Sequence, residues 1–229
     1  MINEPKYRHE LKYLISDQQM ELLKMRVSAI MPKDKHTQNG QYNIRSLYFD
    51  DYYNSCYYEN ENGTDPREKF RIRIYNYSDE RISLECKRKE RGKTLKKSCI
   101  ITKEQCDELI NGKYLKITNE TPPVFNKLML DMMRRGMKPK VIVEYDRVPY
   151  VYKNGNVRVT FDTNVSSSQE TENFLLEEIL KRPVMPKGQQ LMEVKFDEYL
   201  PDFIYQALQL ENLQQTAYSK YYLCRRFTV

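Results

Sequence analysis

Three strand-like runs of the sequence each place a glutamate two residues before a lysine, which puts both side chains on one face of a β-sheet. The three pairs are Glu10 with Lys12, Glu85 with Lys87, and Glu193 with Lys195. Arg71 and Arg73 repeat the spacing with two cations. If these faces point inward, the fold encloses a space lined by both cations and carboxylates. Such a lining is what a protein needs to hold a polyanion together with a divalent metal ion.

Strand-like runs recur along the chain, and most of them alternate apolar with charged residues. They cover residues 7–14, 42–49, 69–75, 81–87, 94–102, 140–147, 150–152, 157–162 and 191–196. In an open antiparallel sheet, this alternation gives an ordinary polar face toward solvent. In a closed barrel, the polar side chains can equally point inward while the apolar ones pack beneath outer helices.

Helical segments separate the strand-like runs. Ser16 with Gln19 and Thr102 with Gln105 form the pattern of a capping box, which predicts a helix N-terminus at each place. The other helix candidates are residues 54–61, 124–135, 172–180 and 202–210. The mixture predicts an α+β fold, in which an antiparallel sheet closes or nearly closes on itself with helices outside. At 229 residues, the chain is expected to form a single domain over residues 1–229.

The composition indicates the cellular compartment and argues against membrane insertion. The five cysteines form no C-x-x-C pair, which is typical of free thiols in a reducing compartment. No segment resembles a signal peptide, and no apolar run approaches the roughly 20 residues that cross a bilayer. We therefore expect a cytoplasmic protein without membrane insertion of its own. A membrane-protein partner would have to supply any coupling to transport.

Any phosphate in this protein must be bound by side chains, because none of the 7 glycines belongs to a glycine-rich phosphate loop. Arginine grips phosphate oxygens with a planar fork, and lysine supplies a mobile point charge. For any single cation, a solvated surface pair is the simpler interpretation. Like charges on one face repel, so the arginine pair favours an anion between them. The candidate cations are Lys12, Arg45, Arg71, Arg73, Lys87, Lys97, Arg147, Arg158, Lys195 and Lys220.

Carboxylates on the same strand-like runs are candidate ligands for Mg²⁺ or Mn²⁺, which usually enters a site bridged to substrate phosphates. Glu193 is the preferred ligand, and Glu144 and Glu10 are further candidates. Glu85 is interpreted as a group that neutralises its neighbouring lysine. The net charge of +6 is modest, and the adjacent tyrosine pairs point in different directions, so we expect no nucleic-acid partner.

Seven motifs follow one another from Tyr7 to Arg226. They are Tyr7-Arg8-His9-Glu10-Leu11-Lys12-Tyr13, Ile44-Arg45-Ser46-Leu47-Tyr48-Phe49-Asp50, Phe70-Arg71-Ile72-Arg73-Ile74-Tyr75, Leu84-Glu85-Cys86-Lys87, Val157-Arg158-Val159-Thr160-Phe161-Asp162, Met192-Glu193-Val194-Lys195-Phe196 and Tyr218-Ser219-Lys220-Tyr221. In this order they resemble the VTC domain, the polyphosphate polymerase branch of the triphosphate tunnel metalloenzymes, also called the CYTH-like superfamily. The resemblance covers nearly the whole chain.

The resemblance implies a closed antiparallel eight-stranded β-barrel, a tunnel that binds polyphosphate with a Mn²⁺ or Mg²⁺ ion. It also implies transfer of the γ-phosphoryl group of ATP onto a polyphosphate or pyrophosphate acceptor, with release of ADP. Glu193 would then hold the metal. The residues that would act on the transferred phosphate are Arg71, Arg73, Lys87, Lys97 and Lys220. Those that would complete the phosphate-binding wall are Lys12, Arg45, Arg147, Arg158 and Lys195.

One position departs from the superfamily pattern, since Arg8 stands where the first strand often carries a glutamate. This departure favours the binding of one metal ion over the binding of two. It also favours a function with long polyanions over the hydrolysis of triphosphate. Two alternatives stay open. The same tunnel could hydrolyse tripolyphosphate or a nucleoside triphosphate, or it could bind polyphosphate for a partner without catalysis.

Overall fold

The computed structural model describes residues 6–37, 39–210, 213–226 and 228, so the ends of the predicted domain, 1–229, lie outside the described residues. The strands found there are β1 (His9–Ser16), β2 (Tyr42–Asp50), β3 (Arg67–Tyr75), β4 (Ser78–Glu90), β5 (Lys93–Ile101), β6 (Lys138–Tyr152), β7 (Val157–Ser168), β8 (Arg182–Pro183) and β9 (Gln189–Phe196). The α-helices are α1 (Asp17–Ser28), α2 (Ser55–Glu61), α3 (Lys103–Ile110), α4 (Pro123–Arg135), α5 (Asp202–Ala207) and α6 (Lys220–Arg225). None of these helices is both long enough and apolar enough to cross a membrane.

Eight strands form one curled antiparallel sheet in the order β1-β9-β7-β6-β2-β3-β4-β5, and the short β8 pairs with β7. The helices lie outside the sheet. Helix α1 contacts β1 and β9, while α3 and α4 contact β4. The predicted α+β class, the eight strands and the outer helices are therefore confirmed.

The closure of the barrel was predicted wrongly, because the sheet is a half-barrel that stays open between β1 and β5. Arg8, just before β1, and Thr94 of β5 exchange two backbone hydrogen bonds of 2.9 Å, and in the part of the chain that the structure describes this isolated bridge joins the two edges. Further along β1, the free edge pairs with the C-terminal segment instead: Thr216 donates its backbone N–H to the carbonyl oxygen of Lys12 at 2.8 Å. The C-terminal segment thus occupies the edge that β5 would need for a continuous ladder.

Both predicted capping boxes are confirmed. At the start of α1, the Ser16 hydroxyl accepts from the backbone of Gln19 at 3.1 Å, and the Gln19 side chain accepts from the backbone of Ser16 at 2.9 Å. Thr102 and Gln105 make the same reciprocal pair at the start of α3. Each box satisfies two backbone donors that a helix otherwise leaves free at its N-terminus.

The segment predicted as a helix at residues 172–180 is not helical in the structure. It forms a short 3₁₀ turn, Thr171–Asn173, and then runs irregularly. The buried guanidinium of Arg45 donates to the carbonyl oxygens of Phe174, Leu176 and Glu177. An α-helix over residues 172–180 would use the oxygens of Phe174 and Leu176 for its own backbone hydrogen bonds, so their contacts with the arginine take the place of that pattern.

The alternation in the strands separates an apolar outer face from a charged inner face. Ile72, Ile74 and Leu84 are fully buried on the outer face, in a core that also contains the apolar side of α4. On the inner face, Glu10 lies opposite Lys195 and Lys12 lies opposite Glu193 in the β1–β9 register. The charged side chains therefore point toward the enclosed space, as the spacing of the glutamate–lysine pairs predicted.

Candidate functional site

The inner face of the sheet surrounds a cavity of about 420 Å³. Ten of the side chains around it are lysine or arginine, and two are glutamate. The cations are Lys12, Arg67, Lys69, Arg71, Arg73, Lys87, Lys89, Arg147, Lys195 and Lys220, and the glutamates are Glu10 and Glu193. Such an excess of positive charge in a concave space attracts and concentrates anions.

Glu193 on β9 is the centre of a buried ionic cluster. Its carboxylate accepts from the ammonium groups of Lys195 and Lys220 at 2.7 Å each, and from the guanidinium of Arg147 at 3.2 Å. Burial alone would raise the pKa of this carboxyl group. The surrounding cations outweigh burial and hold the pKa of Glu193 well below its usual value, so the group is ionised at neutral pH.

Asp162 on β7 does not line the cavity, but it binds two of these cations, Arg147 and Lys220. The Arg147 guanidinium donates to both of its oxygens at 2.6 Å, in the bidentate geometry that arginine prefers with carboxylates. The ammonium group of Lys220 lies 2.5 Å from the same carboxylate. Asp162 is fully buried, so it cannot bind substrate directly and instead fixes the cations that face the cavity.

Glu10 on β1 forms ion pairs with cations of two strands, Lys87 of β4 and Lys12 of β1. Its carboxylate accepts from Lys87 at 2.7 and 3.0 Å and lies 3.2 Å from Lys12. Burial and the nearby charges of Lys12 and Lys195 lower the pKa of Lys87 to about 8, although Glu10 opposes them. Lys87 therefore begins to lose its charge only above neutral pH, and a bound polyanion would raise its pKa further.

Arg71 on β3 is also committed to a carboxylate. Its guanidinium donates to Glu85 at 2.7 Å and to the Tyr48 hydroxyl at 2.8 Å. Glu85 also accepts from Lys96 at 2.9 Å. Glu85 does neutralise cations, as predicted, but its partners are Arg71 and Lys96 and not the neighbouring Lys87.

Three other cations on β3, Arg67, Lys69 and Arg73, have no ion pair with a carboxylate of the described residues. Arg73 is buried and donates to neutral oxygens, those of Ser46 at 3.1 Å and Tyr145 at 3.3 Å. The ammonium group of Lys69 donates to the side-chain oxygen of Asn60 at 2.7 Å and lies over the Tyr221 ring. Because Arg73 and Lys69 form no ion pair with a described carboxylate, both groups are available to an anion that enters the cavity.

Nine of the predicted site residues line this cavity together. They are Glu10, Lys12, Arg71, Arg73, Lys87, Arg147, Glu193, Lys195 and Lys220. The functional roles of these residues stay predictions. Their side chains nevertheless lie around the same cavity.

Lys97 and Arg158 do not line the cavity. Lys97 lies opposite Cys86 in the β4–β5 register and is exposed on the outer face, whereas its neighbour Lys96 lies opposite Lys87 on the inner face. Arg158 starts from the inner face, but its guanidinium turns away to the Asp34 carboxylate at 3.3 Å and to the Tyr42 hydroxyl. The prediction that Lys97 faces the cavity is therefore wrong. Arg158 binds Asp34 and Tyr42 and does not face the cavity.

Arg45 and Glu144 form a separate pair on the outer face of the sheet. They are direct neighbours in the β2–β6 register, and the guanidinium donates to the carboxylate at 2.7 Å. Lys181 also binds Glu144. Since this pair anchors the irregular segment around residues 174–177, the structure offers neither residue to the cavity for phosphate or metal binding.

Three lining cations were missed by the sequence reasoning: Arg67, Lys69 and Lys89. The signal was available for the first two, because they continue the i, i+2 spacing of Arg71 and Arg73 toward the start of β3. Lys89 likewise continues the spacing of Glu85 and Lys87 along β4. The alternation thus extends to the ends of both strands and includes all three cations.

The family model of the VTC domain matches residues 7–229. The chain belongs to the VTC domain family. A search of curated protein sequences gave no match.

Two solved structures share the fold of this VTC domain at low sequence identity. A provisionally assigned adenylate cyclase from Bacillus halodurans gives a TM-score of 0.52 at 12% identity, over 89% of this chain and 87% of that chain. A provisionally assigned adenylyl cyclase from Hippeastrum, described as having a dominant triphosphatase activity, gives a TM-score of 0.57 at 14% identity, over 96% of each chain. At these identities the likeness shows the triphosphate tunnel fold alone.

Triphosphate tunnel proteins generally use a divalent metal ion, and the donor set of this VTC domain fits one that binds together with substrate. The described residues contain no group of three or more acidic, histidine or cysteine ligands. Among the described residues, Glu193 and Glu10 are the carboxylates that line the cavity. Mg²⁺ and Mn²⁺ are commonly held by one or two carboxylates, with substrate phosphates and water completing the shell. These two glutamates would hold the ion.

The C-terminal helix α6 of the VTC domain brings Lys220 into the cavity. Ser219 caps the helix by accepting from the backbone of Tyr222 at 3.3 Å. The buried hydroxyl of Tyr221 donates to Asp50, whose carboxylate also accepts the backbone N–H of Cys56 at the start of α2. Asp50 therefore ties β2, α2 and α6 together and fixes the position of the lysine.

Replacing Tyr221 by phenylalanine is expected to destabilise the fold by about 2 kcal/mol, because Asp50 loses a donor in a buried site. Tyr222→Phe is the matched control, since the Tyr222 hydroxyl donates at 3.1 Å to the exposed Glu61 and its loss should cost about 0.5 kcal/mol or less. Urea denaturation of both variants measures the difference. Equal stabilities would show that the Asp50 contact does not hold α6 in place.

Proposed function

We propose that this VTC domain transfers the γ-phosphoryl group of ATP onto a growing chain of inorganic polyphosphate, with Mn²⁺ or Mg²⁺ as the metal ion. The observation that supports the proposal is that the carboxylates in and next to the cavity are all bound to cations. Glu10, Glu85, Asp162 and Glu193 each bind two or more cations. The pKa of each is lowered, so each is a weak base.

Phosphoryl transfer to a phosphate acceptor needs no protein base. The attacking group is an ionised oxygen at the end of the polyphosphate chain, which forms a bond to the γ-phosphorus. The bond from that phosphorus to the bridging oxygen breaks, and ADP leaves with the electron pair. Such a reaction requires positioning and neutralisation of charge along the line of transfer.

The residues of the cavity fit those two requirements. Arg73 presents a buried guanidinium whose partners are neutral hydroxyls, so it is free to neutralise phosphate oxygens. Lys220 is held between Glu193 and Asp162, and these anions raise the pKa of its ammonium group against the effect of burial. It therefore stays charged as the reaction proceeds. A bound metal ion would neutralise additional charge on the transferred group and the leaving ADP.

Incubation of the purified protein with radiolabelled ATP and Mn²⁺ tests the proposal. We expect labelled polymers that a gel resolves as a ladder, together with ADP, and loss of both products when EDTA removes the metal. Orthophosphate without polymer would show that the domain is instead a triphosphatase. Tight polyphosphate binding without turnover would show a binding module. The Arg73→Met variant, purified in the same way and expected to be at least about 100-fold less active, controls for contaminating kinases.

A further inference from the structure

The ten cations of the cavity fall into two groups that differ in their partners. Most of them contact carboxylates: Lys12, Arg71, Lys87, Arg147, Lys195 and Lys220. The other four have no ion pair with a carboxylate of the described residues: Arg67, Lys69, Arg73 and Lys89. Three of these four lie on β3 and the fourth on the adjacent β4. The positive charge that is not neutralised is therefore concentrated on one wall.

The strand register brings like charges on this wall face to face. Arg67 lies directly opposite Lys89, and Lys69 lies directly opposite Lys87. Like charges in direct cross-strand positions destabilise a sheet unless something between them carries the opposite sign. No carboxylate of the described residues pairs with Arg67, Lys69 or Lys89, whereas Lys87 is bound by Glu10. An anionic ligand would stabilise this pairing of like charges.

The spacing of the wall suits a linear anion. Arg67, Lys69, Arg71 and Arg73 follow one another on the inner face of β3, at intervals of about 7 Å over a path of roughly 20 Å. A single phosphate would contact one or two of these groups. A chain of linked phosphates can contact all of them in turn, so the wall matches inorganic polyphosphate better than a compact anion.

The carboxylates that fit a metal ion lie on other strands, Glu10 on β1 and Glu193 on β9. A nucleotide that carries its metal ion is thus directed toward β1 and β9. A metal-free polyanion is directed toward the wall on β3 and β4, where no described carboxylate is within ion-pairing distance of Lys69 or Arg67.

We propose that Arg67, Lys69 and Lys89 form a subsite for the acceptor polyphosphate chain, separate from the metal-dependent site for the nucleotide at Glu10 and Glu193. This inference rests on the proposed function, because it assigns one of the two substrates of that reaction. Lys69 is the central residue of the subsite. Its ammonium group is set against Asn60 of α2, Ser219 and the Tyr221 ring of α6.

Binding of long-chain polyphosphate without nucleotide or metal, measured by calorimetry, tests the subsite independently of catalysis. We expect Lys69→Met and Arg67→Met each to weaken this binding on the order of tenfold. Lys97→Met is the matched control, because this exposed lysine lies on the outer face of the neighbouring β5, and its affinity should equal that of the wild type. Thermal unfolding verifies that each variant is folded.

Steady-state kinetics adds a second readout. The KM for the polyphosphate acceptor should rise in Lys69→Met on the order of tenfold, while the KM for ATP changes less than about twofold. Equal increases in both KM values would overturn the assignment of Lys69 to the acceptor. Unchanged polyphosphate binding in Lys69→Met and Arg67→Met would also overturn it, even if the wild type polymerises ATP. A wild type that binds no polyphosphate would overturn the proposed function itself.

The pH dependence of binding provides a readout that a structural role would not change. Burial and the charges of Lys12, Arg67 and Lys87 lower the pKa of Lys69 to about 7, with Cys56 opposing them and Glu59 also nearby. A bound polyanion must raise this pKa, so Lys69 contributes fully to affinity below pH 7 and progressively less above it. The ratio of wild-type to Lys69→Met affinity should therefore fall between pH 6 and pH 8.5. A constant ratio would contradict direct contact with phosphate.

Discussion

Replacing Arg73 by methionine should lower the rate of polyphosphate synthesis at least about 100-fold, which is the usual effect of losing a group that stabilises transferred charge. The guanidinium is buried and its hydrogen-bond partners are the neutral hydroxyls of Ser46 and Tyr145. It makes no ion pair with the described carboxylates, so its charge is available to the substrate. Gel analysis of polymer at saturating ATP and Mn²⁺ measures the loss.

The same substitution should leave thermal stability unchanged or slightly higher. Burial and the charge of Arg71 disfavour the Arg73 guanidinium, whereas Tyr145 and the Glu85 carboxylate favour it, so an apolar side chain of similar length removes opposing contributions. Arg134→Met, at an exposed position of α4, serves as the control and should affect neither activity nor stability. Arg73→Lys keeps the charge but lacks the planar fork, and it should recover part of the activity. An Arg73→Met variant that unfolds easily would assign Arg73 a structural role instead.

The local part of this site could be predicted from the sequence. Alternation of side chains along a strand is a property of the backbone, so the pairs Glu10–Lys12 and Glu193–Lys195 had to share a face wherever the strands lay. The spacing alone did not determine whether that face points into the fold or toward solvent. The apolar residues between the charges supplied the answer, because they form the core beneath the helices and leave the charged face inside.

The choice between Lys96 and Lys97 depended on a register that one strand alone does not define. The turn at Arg91 and Gly92 pairs Glu90 with Lys93, and this pairing places Lys96 opposite Lys87. Both turn residues have positive φ, as a two-residue hairpin of type I′ requires. The geometry of this turn therefore places Lys96, and not Lys97, on the inner face.

The positions of Arg45 and Glu144 depended on contacts that no local pattern encodes. Arg45 is fully buried on the outer face because a distant segment folds over it and offers three carbonyl oxygens. The opening between β1 and β5 has the same kind of origin, since residues 215 and 216 compete for the edge of β1. Both features arise from residues that are far apart in the chain.

Replacing Glu193 by glutamine should abolish measurable polymer synthesis, the largest effect expected in this molecule. The carboxylate is the metal ligand that we propose, and it also positions Lys195, Lys220 and Arg147 through contacts of 2.7, 2.7 and 3.2 Å. A neutral amide cannot hold three cations, and it is a poor ligand for Mn²⁺ or Mg²⁺. Any residual activity should require a higher metal concentration. Glu178→Gln, at an exposed position, is the control and should behave like the wild type.

The Glu193→Gln substitution should also destabilise the fold by about 3 kcal/mol at pH 7, because it leaves buried cations without their shared partner. Burial alone would raise the pKa of Glu193, but Lys195, Lys220 and Arg147 hold it well below the ordinary value of 4.5. The ionised carboxylate therefore stabilises the folded state above pH 4.5, and this contribution is lost as the pH falls through the lower folded-state pKa.

The stability difference between wild type and Glu193→Gln should accordingly be constant from pH 6 to pH 8 and shrink in acid, as urea denaturation can measure. Tripolyphosphate without metal should restore part of the lost stability at pH 7, because a bound anion replaces the missing charge and ligand binding to the folded state is stabilising. A variant that is as stable as the wild type, gains nothing from tripolyphosphate and retains activity would refute the role of Glu193 as the centre of this ionic cluster.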